Sequence, residues 1–162
     1  MSTAAWVVVG IVLLASYVTW TAGRLDRMHA RVDAAWAALD AQLVRRAFAA
    51  HALLVQLPEG TDRGRLDTTA MAAAVAGVEG REVVENDLSR ALRDAVPLLP
   101  GRTRALEELE SAAVRVGLAR SFHNSAVNDT RSLRRRRVPR LLRLAGHRAL
   151  PAFFDVDDTG LS

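Results

Sequence analysis

The sequence predicts an all-α protein: an N-terminal transmembrane helix followed by an elongated antiparallel up-and-down bundle of three to four helices. The chain is 50% hydrophobic but only 5% aromatic, and Ala, Leu and Val dominate it, which favours helices over strands. Apolar residues recur at steps of three and four over most of its length. The first 23 residues contain no charged side chain, as expected of a membrane-spanning segment.

Residues 1–23 are predicted to form the anchor. The stretch from Ala4 to Trp20 is almost wholly apolar, and crossing about 30 Å of hydrocarbon takes about 20 helical residues. Trp6 and Trp20 bracket the stretch, at the positions where aromatic rings favour the membrane interface, and Gly23 ends it. A cleaved signal peptide is the alternative, but no basic residue precedes the apolar run, and Trp20 would occupy a cleavage-site position that needs a small side chain. We therefore expect the segment to be retained.

The charges beside the anchor predict its orientation. Arg24, Arg27 and Arg31 follow the apolar run directly, whereas the N-terminal side offers only the α-amine. The positive-inside rule then places the N-terminus outside the cell (inner or plasma) membrane and the C-terminal domain in the cytoplasm. A stripe of small residues would also let two anchors pack closely as a homo-oligomer: Ala15, Thr19 and Gly23.

Residues 24–137 are predicted to form the bundle. Its expected elements are a helix over 25–57 nearly continuous with the anchor, a loop over 58–65, helices over 66–77 and 81–96, a break over 97–101, and a helix over 102–137 capped by Thr103. Two alternatives remain at Gly77–Gly80: one kinked helix, giving three helices, or a chain reversal, giving four. The two glycines favour the reversal. Trp36 lies in the middle of its apolar stripe and is expected to pack against the last helix.

Three blocks of residues carry a family resemblance. The first is Val32, Ala35, Trp36, Asp40, Gln42, Leu43, Arg45 and Arg46; the second is Glu85, Asn86, Leu88, Ser89, Ala91 and Leu92; the third is Ala119, Arg120, Phe122, His123, Asn124 and Val127. In this order, and with the segment 151–158 near the end, they resemble the LemA family of bacterial proteins. The chain departs from the family pattern over 48–53 and has His123 where the family has Tyr. The resemblance implies a helical bundle tethered to a membrane and implies no reaction.

Charged residues of the first block allow two interpretations. Asp40, Arg45 and Arg46 either form a solvated surface, where ion pairs contribute little, or pair with acids on a facing helix and fix its register.

Nothing in the sequence predicts catalysis or a cofactor. The chain has no Cys, which excludes disulfides, thiolate chemistry and cysteine-ligated metals. Its four His are scattered, and none forms a helical pair with the spacing of a zinc site. No glycine-rich phosphate loop or nucleophile elbow occurs. We therefore expect a non-enzyme without a metal or cofactor.

Residues 138–162 are predicted to form a basic and then acidic-aromatic tail. All 22 basic residues of the chain are Arg, and the densest tract is Arg134, Arg135, Arg136, Arg137, Arg140 and Arg143. This tract is either a solvated helix end, a contact to anionic lipid, or a nucleic-acid patch. Because no aromatic residue interleaves with the arginines, nucleic acid is the least favoured partner. Phe153 and Phe154 are expected to dock into a groove of the bundle, the alternative being an exposed peptide that a partner binds.

The sequence as a whole predicts a single-pass membrane scaffold or adaptor that binds other membrane or cytoplasmic proteins. The alternative is a membrane-associated protein that binds anionic lipid or nucleic acid through the Arg134–Arg143 tract.

The predicted orientation can be tested with fusions at the C-terminus. A green fluorescent protein fused there should fluoresce, because it folds in the cytoplasm, and an exported alkaline phosphatase at the same position should be inactive. Active phosphatase with a dark fluorescent fusion would place the helical domain outside.

Overall fold

A computed structural model describes residues 2–135 and 149–156. Over these residues the chain is helical and has no strand, as the sequence predicted. The elements are four α-helices and two short 3-10 helices: α1 (Thr3–Ala52), a 3-10 helix (Leu53–Gln56), α2 (Arg63–Val75), α3 (Arg81–Ala95), a 3-10 helix (Val96–Leu98) and α4 (Arg104–Arg134). The contacts divide into two units, one of Met1–Ala34 with Ser125–Ala152, the other of Ala35–Asn124 with Phe153–Ser162.

The predicted anchor and the predicted first bundle helix form the single helix α1, which is 50 residues long. Its α-helical part ends at Ala52, five residues earlier than predicted, and the chain tightens into a 3-10 helix before the extended Leu57. Of the described helices, the one over Thr3–Gln56 contains a window long and apolar enough to cross a membrane, and no residue of that window is buried within the protein. Its large side chains are accordingly exposed; Leu13, for example, is 65% exposed.

The first unit joins the segment of α1 after the apolar run to the last turns of α4. The Thr130 hydroxyl lies 3.4 Å from the carbonyl oxygen of Met28, and a guanidinium nitrogen of Arg31 lies 3.8 Å from a carboxylate oxygen of Asp129. Each helix contributes a stripe of buried residues: Thr21, Leu25, His29 and Val32 on α1, and Ala126, Val127, Thr130 and Leu133 on α4. Their helical spacing brings one face of each helix into this unit.

In the second unit the chain reverses between α2 and α3. Arg65 at the start of α2 pairs with Asp94 at the end of α3, with 2.6 Å between nitrogen and oxygen. The alternative of one kinked helix over 66–96 is therefore wrong. The helix ends at Val75 because Ala76 is extended, and Gly80 then takes the left-handed conformation (φ 74°) that starts α3. Residues other than glycine adopt this conformation at a cost, which is why the break falls here.

All four helices contribute to the main core of the second unit. It consists of Ala47, Ala50, Leu53, Leu57, Leu66, Ala70, Ala73, Leu88, Ala91, Leu92, Ala95, Leu106 and Leu109. The alanines allow close approach of the helix backbones, and the leucines fill the space between them. Side-chain caps set the starts of two helices: Asp62 accepts from the Arg65 amide, and Thr103, as predicted, accepts from the Leu106 amide.

Gly80 and Gly77 provide a matched test of the turn. We expect Gly80→Ala to lower the free energy of unfolding by about 1–2 kcal/mol, because alanine is strained at positive φ. Gly77→Ala should be neutral or stabilise by up to about 1 kcal/mol, because its φ is not in the left-handed region and the unfolded chain loses freedom. An added Cβ meets no atom within 4 Å at either position, so crowding does not enter. Denaturant titration of the detergent-solubilised protein measures both; equal effects would contradict the turn geometry.

Candidate functional site

A cluster of charged side chains is buried in the second unit, between α1 and α3. We call it the buried ion cluster; its members are Asp40, Arg46, Arg81, Glu85 and Ser89. The side chains of Arg81 and Glu85 are 1% and 0% exposed, that of Arg46 is 4% exposed, and Asp40 is 42% exposed at the rim. Charged groups are seldom buried to this degree unless they are paired.

The contacts of the cluster place one carboxylate between two guanidinium groups. Glu85 lies 3.3 Å from Arg46 through Oε2 and 3.2 Å from Nε of Arg81 through Oε1. Arg46 also donates to the Ser89 hydroxyl at 2.7 Å. Arg81 reaches Asp40 at 3.0 Å and donates to the carbonyl of Ala76 in the turn before α3. With both acids ionised, the cluster has two positive and two negative charges.

Helical spacing explains how the cluster forms. Arg81, Glu85 and Ser89 are four residues apart on α3 and so form one row on its surface. That row faces Arg46 and Asp40 of α1. Burying Arg46, Arg81 and Glu85 costs solvation, which the pairing offsets in part, and removing one partner of such a pair costs about 3–5 kcal/mol. The cluster therefore fixes the register of α1 against α3.

Burial raises the pKa of Glu85 from 4.5 to about 7, because the ionised carboxylate loses its water. Arg46 and Arg81 lower this pKa by their charge, but by less than desolvation raises it, and Asp40 raises it further. A carboxyl group in this position takes up or releases its proton near neutral pH.

A second arrangement in this unit is a groove between α1 and α4 that holds residues 153–156. We call it the tail groove, and its apolar residues are Trp36, Leu39, Leu43, Val116 and Ala119. Phe154 and Val156 enter it and are each 3% exposed. Trp36 meets Phe154 edge to face with 5.5 Å between ring centroids, and it meets His123 of α4 in the same way at 5.4 Å. Such aromatic geometry adds about 0.5–1.5 kcal/mol to the apolar burial.

Side chains of α4 and α3 form hydrogen bonds with the main chain of residues 149–156, which we call the tail. Asn124 forms two hydrogen bonds with Phe154, accepting from its amide at 2.9 Å and donating to its carbonyl at 3.0 Å. Arg120 donates to the carbonyl of Val156 at 2.8 Å, and Glu82 accepts from the amide of Asp155 at 2.7 Å. In the first unit, two further arginines of α4 donate to the tail: Arg131 to the carbonyl of Pro151 at 2.7 Å and Arg134 to that of Ala149 at 2.9 Å.

The structure separates the residues that the sequence singled out. Arg46 and Asp40 join the buried ion cluster, whereas Arg45 is exposed. Trp36, Arg120 and Asn124 contact the tail in its groove, Phe154 occupies the groove, and Phe153 is 44% exposed. Phe122 is 63% exposed, and Gln42 and Asn86 are half-buried. The remaining described positions of this set lie within the predicted anchor: Ala4, Trp6, Trp20 and Gly23.

Part of the predicted basic tract lies outside the described residues. Arg134 ends α4 and Arg135 follows it, half-buried and exposed respectively, whereas Arg136, Arg137, Arg140 and Arg143 fall in the undescribed range 136–148.

Sequence reasoning missed several functional contacts. Arg81 was not singled out, although the row Arg81, Glu85 and Ser89 at four-residue spacing could have indicated one polar face of α3. Val156 was missed as the second apolar residue of the tail, although Phe154 and Val156 alternate as an extended segment does. Arg120, Asn124, Arg131 and Arg134 share one helical stripe, which nothing in the sequence connects with the tail.

No family model matches the chain, and no curated protein or solved structure matches it. Membership of the LemA family therefore stays a prediction from the three motif blocks.

The pKa of Glu85 predicts how stability depends on pH. The folded state favours the protonated carboxyl, so this stabilisation is complete below pH 4.5 and is lost as the pH rises through about 7. The free energy of unfolding should fall over this window, by at most about 1.4 kcal/mol per pH unit. Glu85→Gln should remove the fall, whereas Asp87→Asn, which changes an exposed acid paired with Arg90 on the same helix, should keep it. Denaturation midpoints at pH 5, 6, 7 and 8 give the slopes; an unchanged slope in Glu85→Gln would contradict the assignment.

Proposed function

We propose that this protein is a single-pass membrane scaffold or adaptor of the LemA type. Its N-terminus lies outside the cell membrane, and its cytoplasmic part is an antiparallel up-and-down helical bundle that binds other proteins without catalysing a reaction.

The continuity of α1 carries this proposal. One half of the helix exposes large apolar side chains from Trp6 to Trp20, and the other half supplies core residues of the second unit, such as Ala47 and Ala50. Exposed apolar surface on this scale requires a covering, and a bilayer covers a single apolar helix of about 20 residues. A helix that runs unbroken from that segment into a folded core is suited to attach the core to the membrane.

The flanks of the apolar run support the orientation. Arg24 lies 5.8 Å over the ring of Trp20, which combines an interfacial aromatic residue with a cation at the end where the run stops.

In the first unit, Asp129 approaches Arg31 while Thr130 approaches Met28. The opposite order of these contacts along the two helices favours the antiparallel bundle.

The two arrangements in the second unit support a binding role. The buried ion cluster and the tail groove contain several residues of the LemA-like blocks, among them Trp36, Arg46, Glu85 and Asn124, and their contacts are between helices or with the tail. These contacts fix the helices and the tail relative to one another within the second unit, and an adaptor needs such a fixed surface to bind other proteins.

The first unit also favours a second candidate function, the binding of anionic lipid. Thr130 contacts Met28, five residues beyond Gly23, or about 8 Å along the helix axis. If the helices are antiparallel, Arg134 lies one turn nearer to the apolar run, level with Arg24. Basic residues near an anionic leaflet each contribute about 1 kcal/mol of attraction. Flotation with vesicles containing 30% phosphatidylserine, in low and high salt, tests this with Arg134 and Arg135 changed to Gln.

Membrane attachment can be tested by fractionation with matched variants. The wild-type chain should stay in the membrane fraction after carbonate extraction, and its intact mass should include residues 1–23. Changing Leu13 and Leu14 to Asp should release it, because each Asp at the centre of a spanning helix costs about 2.5–3.5 kcal/mol. The same change at Val78 and Val83, which are 68% and 64% exposed outside the anchor, should leave it in the membrane.

A wild-type chain that carbonate extracts, or that lacks residues 1–23 when purified, would contradict the anchor. Release by the control substitutions as well would show that attachment depends on the helical domain instead.

A further inference from the structure

The tail groove recognises its occupant through the occupant's main chain. Four main-chain groups of three consecutive residues are bonded by side chains of the helices: the amide and carbonyl of Phe154, the amide of Asp155 and the carbonyl of Val156. Asn124 pairs with both groups of Phe154, as a neighbouring strand would. Every extended peptide carries these groups, so this part of the recognition does not depend on sequence.

Selectivity comes from two apolar side chains two residues apart. Phe154 and Val156 are each 3% exposed among Leu39, Leu43 and Val116, whereas Phe153 is 44% exposed. The side chain of Asp155 is 97% exposed, 3.8 Å from Arg120. In an extended segment alternate side chains face opposite sides, so the groove selects an aromatic residue and, two positions further on, a branched aliphatic residue.

The tail is separable from the main core of its unit. The core that unites all four helices contains no tail residue, and Phe154 and Val156 belong to a second, smaller cluster. None of residues 149–156 is helical. The tail can therefore leave the groove without breaking a helix or opening the main core.

An empty groove would be less stable than a filled one. It would expose the apolar faces of Leu39, Leu43 and Val116 and would leave Asn124 without the main chain that it now bonds. A segment of the same chemistry satisfies both requirements, so exchange of one extended segment for another is favoured over vacancy.

We propose that the tail groove is a peptide-binding site whose resting occupant is the chain's own residues 153–156. In exchange it accepts an extended segment of a partner protein, with an aromatic and a branched aliphatic residue two positions apart and an acidic residue between or after them. Arg120 at the rim favours the acid. This inference rests on the proposed adaptor function and specifies the class of partner.

Competition from the chain's own tail sets the affinity that a partner must have. Residues 136–148 join α4 to the described tail along the chain, so the tail competes for the groove as an intramolecular occupant, at an effective concentration set by that covalent link. A free peptide must displace that occupant, whereas a partner in the same membrane is itself concentrated. The intact chain is therefore expected to bind a free peptide more weakly than a chain without the tail.

Fluorescence anisotropy with a labelled peptide of residues 149–158 tests the proposal. The protein is used in nanodiscs as the full chain, as a chain lacking residues 149–162, and as the full chain with Phe154→Ala. The shortened chain should bind the peptide at least about tenfold more tightly than the full chain, and Phe154→Ala should lie between them. If the shortened chain does not fold, the comparison of the full chain with Phe154→Ala decides.

Matched changes in the peptide and the groove separate recognition from non-specific adhesion. A peptide with Phe154→Ala should bind at least about tenfold more weakly, and one with Phe153→Ala should bind within about threefold of the original, since only the first ring enters the groove. In the shortened chain, Asn124→Ala should weaken binding, while Asn128→Ala, an exposed residue one turn further along α4, should not.

Three results would overturn the proposal: no saturable binding by a folded shortened chain, equal binding by the full and shortened chains, or equal effects of the two Phe changes. If the full chain instead forms a dimer that the peptide dissociates, the partner is a second copy and the assignment to another protein is wrong. Peptide binding is measured without reference to topology, so a failure of the membrane proposal in carbonate extraction would leave this result standing.

Discussion

The second unit depends on one constraint: a carboxyl group with no exposed side-chain surface must lie between two guanidinium groups. Glu85 on α3 meets this requirement with Arg46 from α1 and Arg81 from the first turn of α3. Sliding α1 by a single residue would turn Arg46 away by about 100° and would bury a carboxylate with one partner fewer. The cluster thereby selects one register, and the turn at Gly80 is part of that selection because it places Arg81 at the start of the helix.

The tail groove follows from that register. Trp36, Leu39 and Leu43 precede Arg46 on α1, so fixing Arg46 against α3 also fixes which face of α1 is left for α4 and the tail. Polar contacts add to this apolar packing. Asn124 and Arg120 donate hydrogen bonds to the main chain of the tail, whose side chains Phe154 and Val156 are buried in the groove. Here the helices act on an extended segment as a sheet edge does, using side chains in place of a strand.

Helical class, the break at Gly77–Gly80 and the Thr103 cap followed from local patterns, because periodicity and capping are properties of neighbouring residues. The buried pairs did not, since Arg46 and Glu85 are 39 positions apart and their meeting depends on which helix faces touch. The sequence left open whether Arg46 was solvated or paired. It also treated Phe153 and Phe154 alike, although only the alternation with Val156 distinguishes the ring that is buried from the ring that is exposed.

The composition of the main core makes the tail important for the stability of the second unit. Six of the thirteen residues in the main core are Ala, and a buried Ala removes little apolar surface from water. Replacing a large buried aromatic residue by Ala costs about 3–5 kcal/mol of stability. Phe154 is therefore a substantial contributor to a unit whose main core is rich in Ala. The filled groove therefore stabilises the unit. Any segment that buries the same apolar surface in the groove provides the same stabilisation. Because the main core is rich in Ala, an exchangeable aromatic segment in the groove adds stability that the main core does not supply.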